Sequence, residues 1–229
     1  MQEFGSNELE FLKVWRSRKM MPGKHVEYLH YLRNNCGIFP QVIFDIGANV
    51  LHWTDEATEI WPRAEILLFD ASEVYRSMYE SEKYRFNLEV LSDVENRHVK
   101  FYENNSWPGG NSYYRENPEF NPRANEIFPE NKFRLARTNT LDSVVSRRNF
   151  PNPDFIKIDV QGAELDILKG ATNTLKSVRN LIVEIRNVEY NLGAPDKETV
   201  IEYIESIGFE NKGVFCDNGA DADYHFTRS

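Results

Sequence analysis

The stretch VIFDIGAN, residues 42–49, decides the fold class. Its first five residues are nearly all apolar, and the side chains of such a run would point to both faces of a sheet, as in a central parallel strand covered on both sides. The small residues that follow, Gly47 and Ala48, suit a tight turn where the backbone approaches a ligand closely. We therefore expect an α/β fold whose first central strand ends at a binding site.

Along the chain, short runs of β-branched or aromatic residues, typical of strands, are followed by longer stretches in which apolar residues recur at helical spacing. The predicted strands are residues 42–46, 66–69, 88–91, 98–102, 155–158, 181–185, 209–215 and 224–227. The predicted helices are residues 25–35, 54–60, 198–207 and a stretch that begins near Gly162. Residues 103–136 are rich in Asn, Pro and Gly, and we expect a long functional or mobile loop there.

The charge balance disfavours nucleic acid as the main partner. The 229 residues carry 27 Lys and Arg against 36 Asp and Glu, a formal charge of −9, which discourages broad binding to a phosphate backbone.

Cys36 and Cys216 form neither a disulfide framework nor a zinc-binding pattern. No apolar run approaches the ~20 residues needed to cross a bilayer. Because the first residues also lack the layout of a signal peptide, we expect a soluble, cytoplasmic protein.

The length of the chain favours one large domain over two small ones. We predict a helical N-terminal extension over residues 1–40 and a single α/β domain over residues 41–229. Residues 1–6 are expected to be a cloning remnant and take no part in the fold argument.

Two acids follow the first two predicted strands, where ligands bind in open α/β sheets. Asp70 stands 25 residues after Asp45 and is placed to accept hydrogen bonds from both ribose hydroxyls of a nucleoside cofactor. The turn is not a GxGxxG motif, because Leu51 stands where a later glycine is expected. S-adenosylmethionine lacks the pyrophosphate that such a motif binds and carries a sulfonium and an ammonium group, so an acid at the first turn favours it over a dinucleotide.

Two further acids, Asp159 and Glu184, follow the strands at residues 155–158 and 181–185. Two carboxylates that face one crevice can bind a divalent ion or remove a proton from a substrate hydroxyl. Asp159 acting as a base, and Mg²⁺ held by Asp159 and Glu184, remain alternatives at this point. His52, just after the first turn, is another candidate base.

Four stretches resemble the FkbM family of S-adenosylmethionine-dependent methyltransferases: FIKIDVQGAELDILKGA at 155–171, VIFDIGAN at 42–49, RTNTLDSVV at 137–145 and LSD at 91–93. The resemblance implies the class I methyltransferase fold, a Rossmann-like three-layer sandwich. Its mostly parallel, seven-stranded sheet would have the order 3-2-1-4-5-7-6, with an antiparallel last strand. The sequence departs from many members at Leu51, where they have Gly, and at Asp70, where they have Glu.

The resemblance also implies a cofactor site and an acceptor site. The residues implied to hold S-adenosylmethionine are Asp45, Gly47, Ala48 and Asn49 at the methionine end, Asp70, Ala71 and Ser72 at the ribose, and Ser92 and Asp93 beside the adenine. Asp159 would lie close to the methyl group. The residues expected to face the acceptor are Trp107, Asn111, Tyr113, Gln161 and Asn187. The implied reaction is O-methylation of a hydroxyl. The stretch VLHWTDEATEIWP at 50–62 and the GGNSYY loop at 109–114 resemble a subgroup associated with glycan decoration, which favours a sugar or glycan acceptor.

Other functions stay open beside this one. The hydroxyl belongs either to a sugar or to a natural product, and an enzyme for the 2′-hydroxyl of RNA would share the fold. The RNA reading needs a basic groove and lysine-centred chemistry, which the charge of −9 and the lone Lys157 disfavour. Acids at four strand ends disfavour a cofactor-binding module without catalysis, and the missing glycine-rich turn disfavours a nicotinamide oxidoreductase.

Overall fold

The computed structural model describes residues 6–229. Residues 1–5 of the predicted cloning remnant lie outside the described residues, and Ser6 begins the first helix. The helices are α1 Ser6–Ser17, α2 Gly23–Asn34, α3 His52–Ile60, α4 Arg76–Ser81, α5 Ala124–Ile127, α6 Leu141–Arg148, α7 Glu164–Lys169 and α8 Lys197–Ser206. The strands are β1 Val42–Ile46, β2 Glu65–Asp70, β3 Arg85–Leu88, β4 Val90–Leu91, β5 His98–Phe101, β6 Arg134–Asn139, β7 Phe155–Ile158, β8 Asn180–Arg186, β9 Glu210–Asp217 and β10 Asp221–Thr227.

Seven strands form the main sheet, in the order β3-β2-β1-β7-β8-β10-β9. Strands β3, β2, β1, β7 and β8 are parallel, and β10 runs antiparallel to both β8 and β9. Counted along this sheet, the order is 3-2-1-4-5-7-6 with the last strand antiparallel. The predicted class I methyltransferase fold is confirmed.

The two faces of the sheet are covered by separate apolar cores, which makes the three layers of the sandwich. Phe44 and Leu67 pack on the face that carries α6, α7 and α8. Ile43 and Leu68, their neighbours in the strands, pack on the opposite face with residues of α1, α2 and α3. The alternation follows from the strand geometry, in which successive side chains point to opposite faces.

The strand predicted at residues 88–91 is wrong in its bounds. Residues Arg85–Leu88 pair with β2 at the edge of the main sheet, whereas Val90–Leu91 turn away and pair with β6. Strands β4, β6 and β5 form a second, three-stranded sheet, so the predicted strand at 98–102 lies there as β5. Strand β6 begins inside the predicted loop at 103–136, because its polar sequence RLARTN carries little apolar signal.

Helices α1 and α2 are packed onto the sheet sandwich. Leu12 of α1 and Leu29 of α2 are buried in the same core as Trp53 of α3. Of the helices described, none combines the length and the apolar character that a membrane span requires.

Candidate functional site

A cavity of about 280 Å³ lies beyond the carboxyl ends of the parallel strands. It extends from the β2 side of the sheet, past the neighbouring ends of β1 and β7, to β8 and β10. After β1 and after β7, the chain turns toward opposite faces of the sheet. The crevice between two such strands is where open α/β sheets bind ligands. Side chains that line the cavity include Asn49, His52, Asp70, Asn111, Tyr113, Lys157, Asp159, Gln161, Glu184 and Asp223.

The turn after β1 depends on a glycine that lies against the end of β7. Gly47 has a φ of +82°, and a Cβ at this position would lie 1.8 Å from the carbonyl oxygen of Asp159. Only glycine permits both the left-handed backbone and this approach. Leu51, which departs from the family pattern, also has a positive φ, of 69°. A glycine would adopt this backbone conformation without strain, but the side chain of Leu51 is fully buried and contributes to the packing.

The backbone amides of this turn are already hydrogen-bonded within the protein. The amides of Gly47 and Ala48 donate to the carbonyl oxygen of Phe69, and that of Asn49 donates to the carboxylate of Asp70. A pyrophosphate needs such amides free at a helix N-terminus. The turn therefore suits a nucleoside cofactor that has no phosphate.

Asp70 ends β2 with its carboxylate held at the cavity wall. Its two oxygens accept from the amides of Asn49 and Ser72, at 3.1 and 3.0 Å. Burial raises the pKa of Asp70 to about 6, against the opposing effect of these hydrogen bonds. A carboxylate in this position retains lone pairs with which it can accept from ribose hydroxyls.

Asp45 lies beneath the cavity and does not line it. Its side chain is fully buried, accepts from the Thr54 hydroxyl at 2.6 Å and lies 3.3 Å from the Nζ of Lys157. Lys157 Nζ also donates to the carbonyl oxygen of Gly47 at 3.2 Å. Burial lowers the pKa of Lys157, but the nearby carboxylates outweigh it and raise the pKa above its usual value. This buried ion pair thus joins β7 to the turn after β1.

Asp159 and Glu184 face the cavity as an acid pair with opposite pKa shifts. Burial opposes ionisation of Asp159, but Lys157, 3.4 Å away, lowers the pKa of Asp159 below its usual value. Burial and the charge of Asp159 raise the pKa of Glu184 well above its usual range. The Nε2 of Gln161 lies 3.0 Å from Asp159 and 3.4 Å from Glu184. Two acids whose pKa values are pushed apart in this way are suited to proton transfer.

A search of family models matches residues 45–210 to the methyltransferase FkbM domain, which is more than half of the chain. The chain belongs to the FkbM methyltransferase family. Membership of a methyltransferase family agrees with the S-adenosylmethionine expected from the sequence. The cavity fits this cofactor, because it combines an acid that can accept from ribose hydroxyls, Asp70, with a turn that offers no pyrophosphate site.

Two curated relatives are similar to parts of this FkbM chain. Hexuronic acid methyltransferase AglP of Haloferax volcanii is 47% identical over 49 residues, which cover 21% of this chain and 20% of the relative. AMB antimetabolite synthetase AmbE of Pseudomonas aeruginosa is 24% identical over 216 residues, which cover 79% of this chain and 10% of the relative. The chain thus spans a fifth or less of the length of these relatives.

Solved structures share the fold of this FkbM protein at low identity. An O-methyltransferase family protein from Burkholderia thailandensis has a TM-score of 0.50 at 7% identity, covering 97% of this chain and 59% of that one. Precorrin-6y C5,15-methyltransferase from Geobacter metallireducens has a TM-score of 0.47 at 14% identity, covering 93% of this chain and 87% of that one. The first of these likenesses supports the class I fold.

The structure brings part of the predicted cofactor set to the cavity. Gly47, Ala48, Asn49, Asp70 and Ala71 line it. The other four predicted cofactor residues, Asp45, Ser72, Ser92 and Asp93, do not. The hydroxyl of Ser72 donates to Glu103, Ser92 is fully buried, and Asp93 pairs with Arg97 at 2.9 Å. At the predicted adenine stretch, residues 91–93, the cavity is lined by Leu91 and by the two residues that precede it, Glu89 and Val90.

The predicted acceptor residues also divide into two groups. Asn111, Tyr113 and Gln161 line the cavity, and the Nδ2 of Asn111 is buried without a hydrogen-bond partner. Trp107 instead packs edge-on against Trp15 of α1 and is 45% exposed. Asn187 donates to the carbonyl oxygen of Gly219 outside the cavity.

The N-terminal segment contributes a wall that sequence reasoning did not place there. Met20, Met21, Pro22 and His25 line the cavity. His52 lines it as well, and its Nε2 lies 3.0 Å from the carbonyl oxygen of Trp15. Because a carbonyl oxygen only accepts, Nε2 of His52 is the donor of this hydrogen bond.

The acid pair does not fit a magnesium site. Lys157 lies 3.4 Å from Asp159, and Arg186 lies 3.0 Å from Glu184, so a cationic side chain already neutralises each carboxylate. Among the residues that the structure describes, no group of three or more His, Cys, Asp or Glu side chains could hold a metal ion. A hard divalent ion favours several oxygen ligands without competing cations.

Proposed function

We propose that this protein transfers a methyl group from S-adenosylmethionine to a hydroxyl of a sugar or glycan. The observation that carries the proposal is the acid pair Asp159 and Glu184 in the same cavity as the ribose-binding acid Asp70. Bound S-adenosylmethionine supplies an electrophilic methyl group on a positively charged sulfur. A hydroxyl acceptor must lose its proton as that methyl group is transferred, and a carboxylate with a raised pKa can accept the proton.

Glu184 is the proton acceptor in this proposal. Its pKa is raised by burial and by the charge of Asp159, so it binds a proton more readily than an ordinary glutamate does. Asp159, whose pKa Lys157 lowers, stays ionised and provides negative charge beside the positively charged sulfur. Gln161 Nε2, between the two carboxylates, keeps them oriented.

The nature of the acceptor is supported by both the site and a relative. The cavity wall presents amide and carboxylate groups, such as Asn111 and Gln161, that can hydrogen-bond sugar hydroxyls. One curated relative is named as a hexuronic acid methyltransferase, and a hexuronic acid is a sugar. A natural-product hydroxyl is the alternative within the same chemistry.

A methyltransferase for RNA is less well supported. Such chemistry would need a lysine that can lose its proton, but carboxylates raise the pKa of Lys157, and its ammonium group is already bound to them. The formal charge of −9 also opposes the approach of a phosphate backbone.

The test is the transfer of labelled methyl groups from S-adenosylmethionine to a panel of free sugars and short glycans, with capped RNA and small aliphatic alcohols for comparison. Glu184→Gln removes a carboxylate inside the cavity. Its matched control, Glu205→Gln, makes the same change at an exposed position of α8. We expect transfer to sugars, a loss of about 10² to 10⁴ in rate for Glu184→Gln, and an unchanged rate for Glu205→Gln. Transfer to RNA alone, or full activity of Glu184→Gln, would contradict the proposal.

A further inference from the structure

Three side chains beside the cavity form a hydrogen-bonded relay: Trp53, His25 and Asp223. The indole Nε1 of Trp53 lies 2.8 Å from the Nε2 of His25, and the Nδ1 of His25 lies 3.1 Å from the Oδ2 of Asp223. An indole N–H only donates, so Nε2 of His25 must accept and carries no proton. The single proton of this imidazole is therefore on Nδ1 and is donated to Asp223.

The relay leaves Asp223 without a cationic partner. His25 is the neutral tautomer as long as Trp53 donates to it, so the contact with Asp223 is a hydrogen bond and not an ion pair. Both His25 and Asp223 are buried and line the cavity. The carboxylate is thus fixed in place with its charge uncompensated by the histidine.

Asp223 differs in this respect from the two acids beside it. It lies opposite Glu184 in the pairing of β10 with β8, whereas Glu184 is paired with Arg186 and Asp159 with Lys157. Among the described residues that line the cavity, Lys157 is the only lysine or arginine, and it is bound to two carboxylates and a carbonyl oxygen. No lining cation of the described chain is left to receive an anionic ligand on this side.

We infer that Asp223, held by His25 and Trp53, selects an acceptor ring without a carboxylate, so that the substrates are neutral or amino sugars and not uronic acids. In this the protein would differ from the relative named as a hexuronic acid methyltransferase, which matches it over only 49 residues. The inference rests on the proposed sugar acceptor. Because Asp223 lies opposite Glu184 in the strand pairing and both line the cavity, a ring whose hydroxyl reaches the acid pair also faces Asp223. A carboxylate on that side of the ring would meet a like charge in a buried site, which is strongly repulsive. Hydroxyl and ammonium groups, in contrast, donate to a carboxylate.

The test compares three acceptors that share one ring and differ in one group: methyl glucoside, methyl glucuronide and the methyl glycoside of glucosamine. The kcat/KM of each is measured for the wild type, Asp223→Asn and Glu205→Gln. For the wild type, we expect the glucuronide to be at least about tenfold poorer than the other two acceptors. Asp223→Asn should raise kcat/KM for the glucuronide and remove most of that difference, whereas the exposed control Glu205→Gln should leave it unchanged.

A measurement on the wild type keeps the test valid if Asp223→Asn does not fold. The glucuronide should inhibit transfer to the glucoside only at concentrations at least about tenfold above the KM of the glucoside. Preferred methylation of the glucuronide would overturn the inference and leave the sugar acceptor intact. An unchanged preference in folded Asp223→Asn would overturn the role of Asp223. Transfer to none of these three sugars, and to no sugar or glycan of the wider panel, would overturn the proposed function itself.

Discussion

The Oδ2 of Asp70 accepts a hydrogen bond of 3.1 Å from the backbone amide of Asn49. The acid at the end of β2 and the turn at the end of β1 are thereby one unit. The side chain of Asn49 extends this unit, because its Oδ1 accepts from the hydroxyl of Tyr75. Any change in the turn will therefore move the group that we assign to the ribose.

Removal of the Asp70 charge should weaken cofactor binding. Asp70→Asn should weaken the free energy of cofactor binding by about 1–3 kcal/mol, because charge-assisted hydrogen bonds to the ribose are lost. Burial raises the pKa of Asp70 to about 6, so wild-type affinity should fall as the pH drops below that value and the carboxylate gains a proton. Calorimetry with S-adenosylhomocysteine between about pH 5 and 8, on both sides of this pKa, would measure both effects. An exposed control, Asp217→Asn, should bind normally, and a flat pH profile for the wild type would place the ribose elsewhere.

Gly47→Ala should destabilise the protein more than the same change at Gly193. Both glycines have positive φ values, +82° and +75°, so both substitutions carry a backbone cost of about 1–2 kcal/mol. A Cβ at Gly47 would also lie 1.8 Å from the carbonyl oxygen of Asp159, whereas nothing lies within 4 Å of one at Gly193. This overlap should add roughly 1–3 kcal/mol to the loss in the free energy of unfolding. Equal losses for the two variants in urea denaturation would show that the approach of β7 to the turn is unimportant.

Lys157→Met should lower the free energy of unfolding by about 3–5 kcal/mol, because it leaves the fully buried Asp45 without its cationic partner. The double variant with Asp45→Asn should lose less than the sum of the two single variants, since the buried charge is then absent. Lys212→Met, which breaks the exposed pair with Glu210, should cost less than about 1 kcal/mol. Urea denaturation of the four variants measures these differences. Additive losses would indicate that Lys157 and Asp45 do not interact.

Methyl transfer should not depend on a divalent ion. Lys157 and Arg186 already neutralise the acid pair, so a chelator should leave kcat unchanged and added Mg²⁺ should not increase it. The measurement is the transfer rate after dialysis against chelator, with and without added metal. A loss of activity that Mg²⁺ restores would show that Asp159 and Glu184 release their cationic partners to hold a metal.

The central strands of the main sheet were predictable from the sequence, because each is a mostly apolar run, whereas their order came from the family resemblance. The runs at Val42–Ile46 and Phe155–Ile158 coincide with β1 and β7. The second sheet was not predicted, since the sequence of Arg134–Asn139 is mostly polar and its pairing with β4 and β5 is a tertiary contact. Local patterns do not encode such pairings.

The candidate site was predictable only where its residues directly follow strands. Asp70, Asp159 and Glu184 line the cavity because the ends of parallel strands meet at one edge of the sheet. His25, in contrast, lies on a helix outside the family match, and its contacts with Trp53 and Asp223 join positions 28 and 198 residues away. No periodicity marks a residue of this kind.

The most direct test of the account is the structure of the product that the pure protein forms from S-adenosylmethionine with a carbon-13-labelled methyl group and the best sugar of the panel. Nuclear magnetic resonance identifies the atom that carries the label. We predict that the labelled carbon is bonded to a former hydroxyl oxygen of the sugar, with one S-adenosylhomocysteine released for each methyl group. A label on nitrogen or carbon, or cofactor binding without transfer to any hydroxyl, would contradict the account.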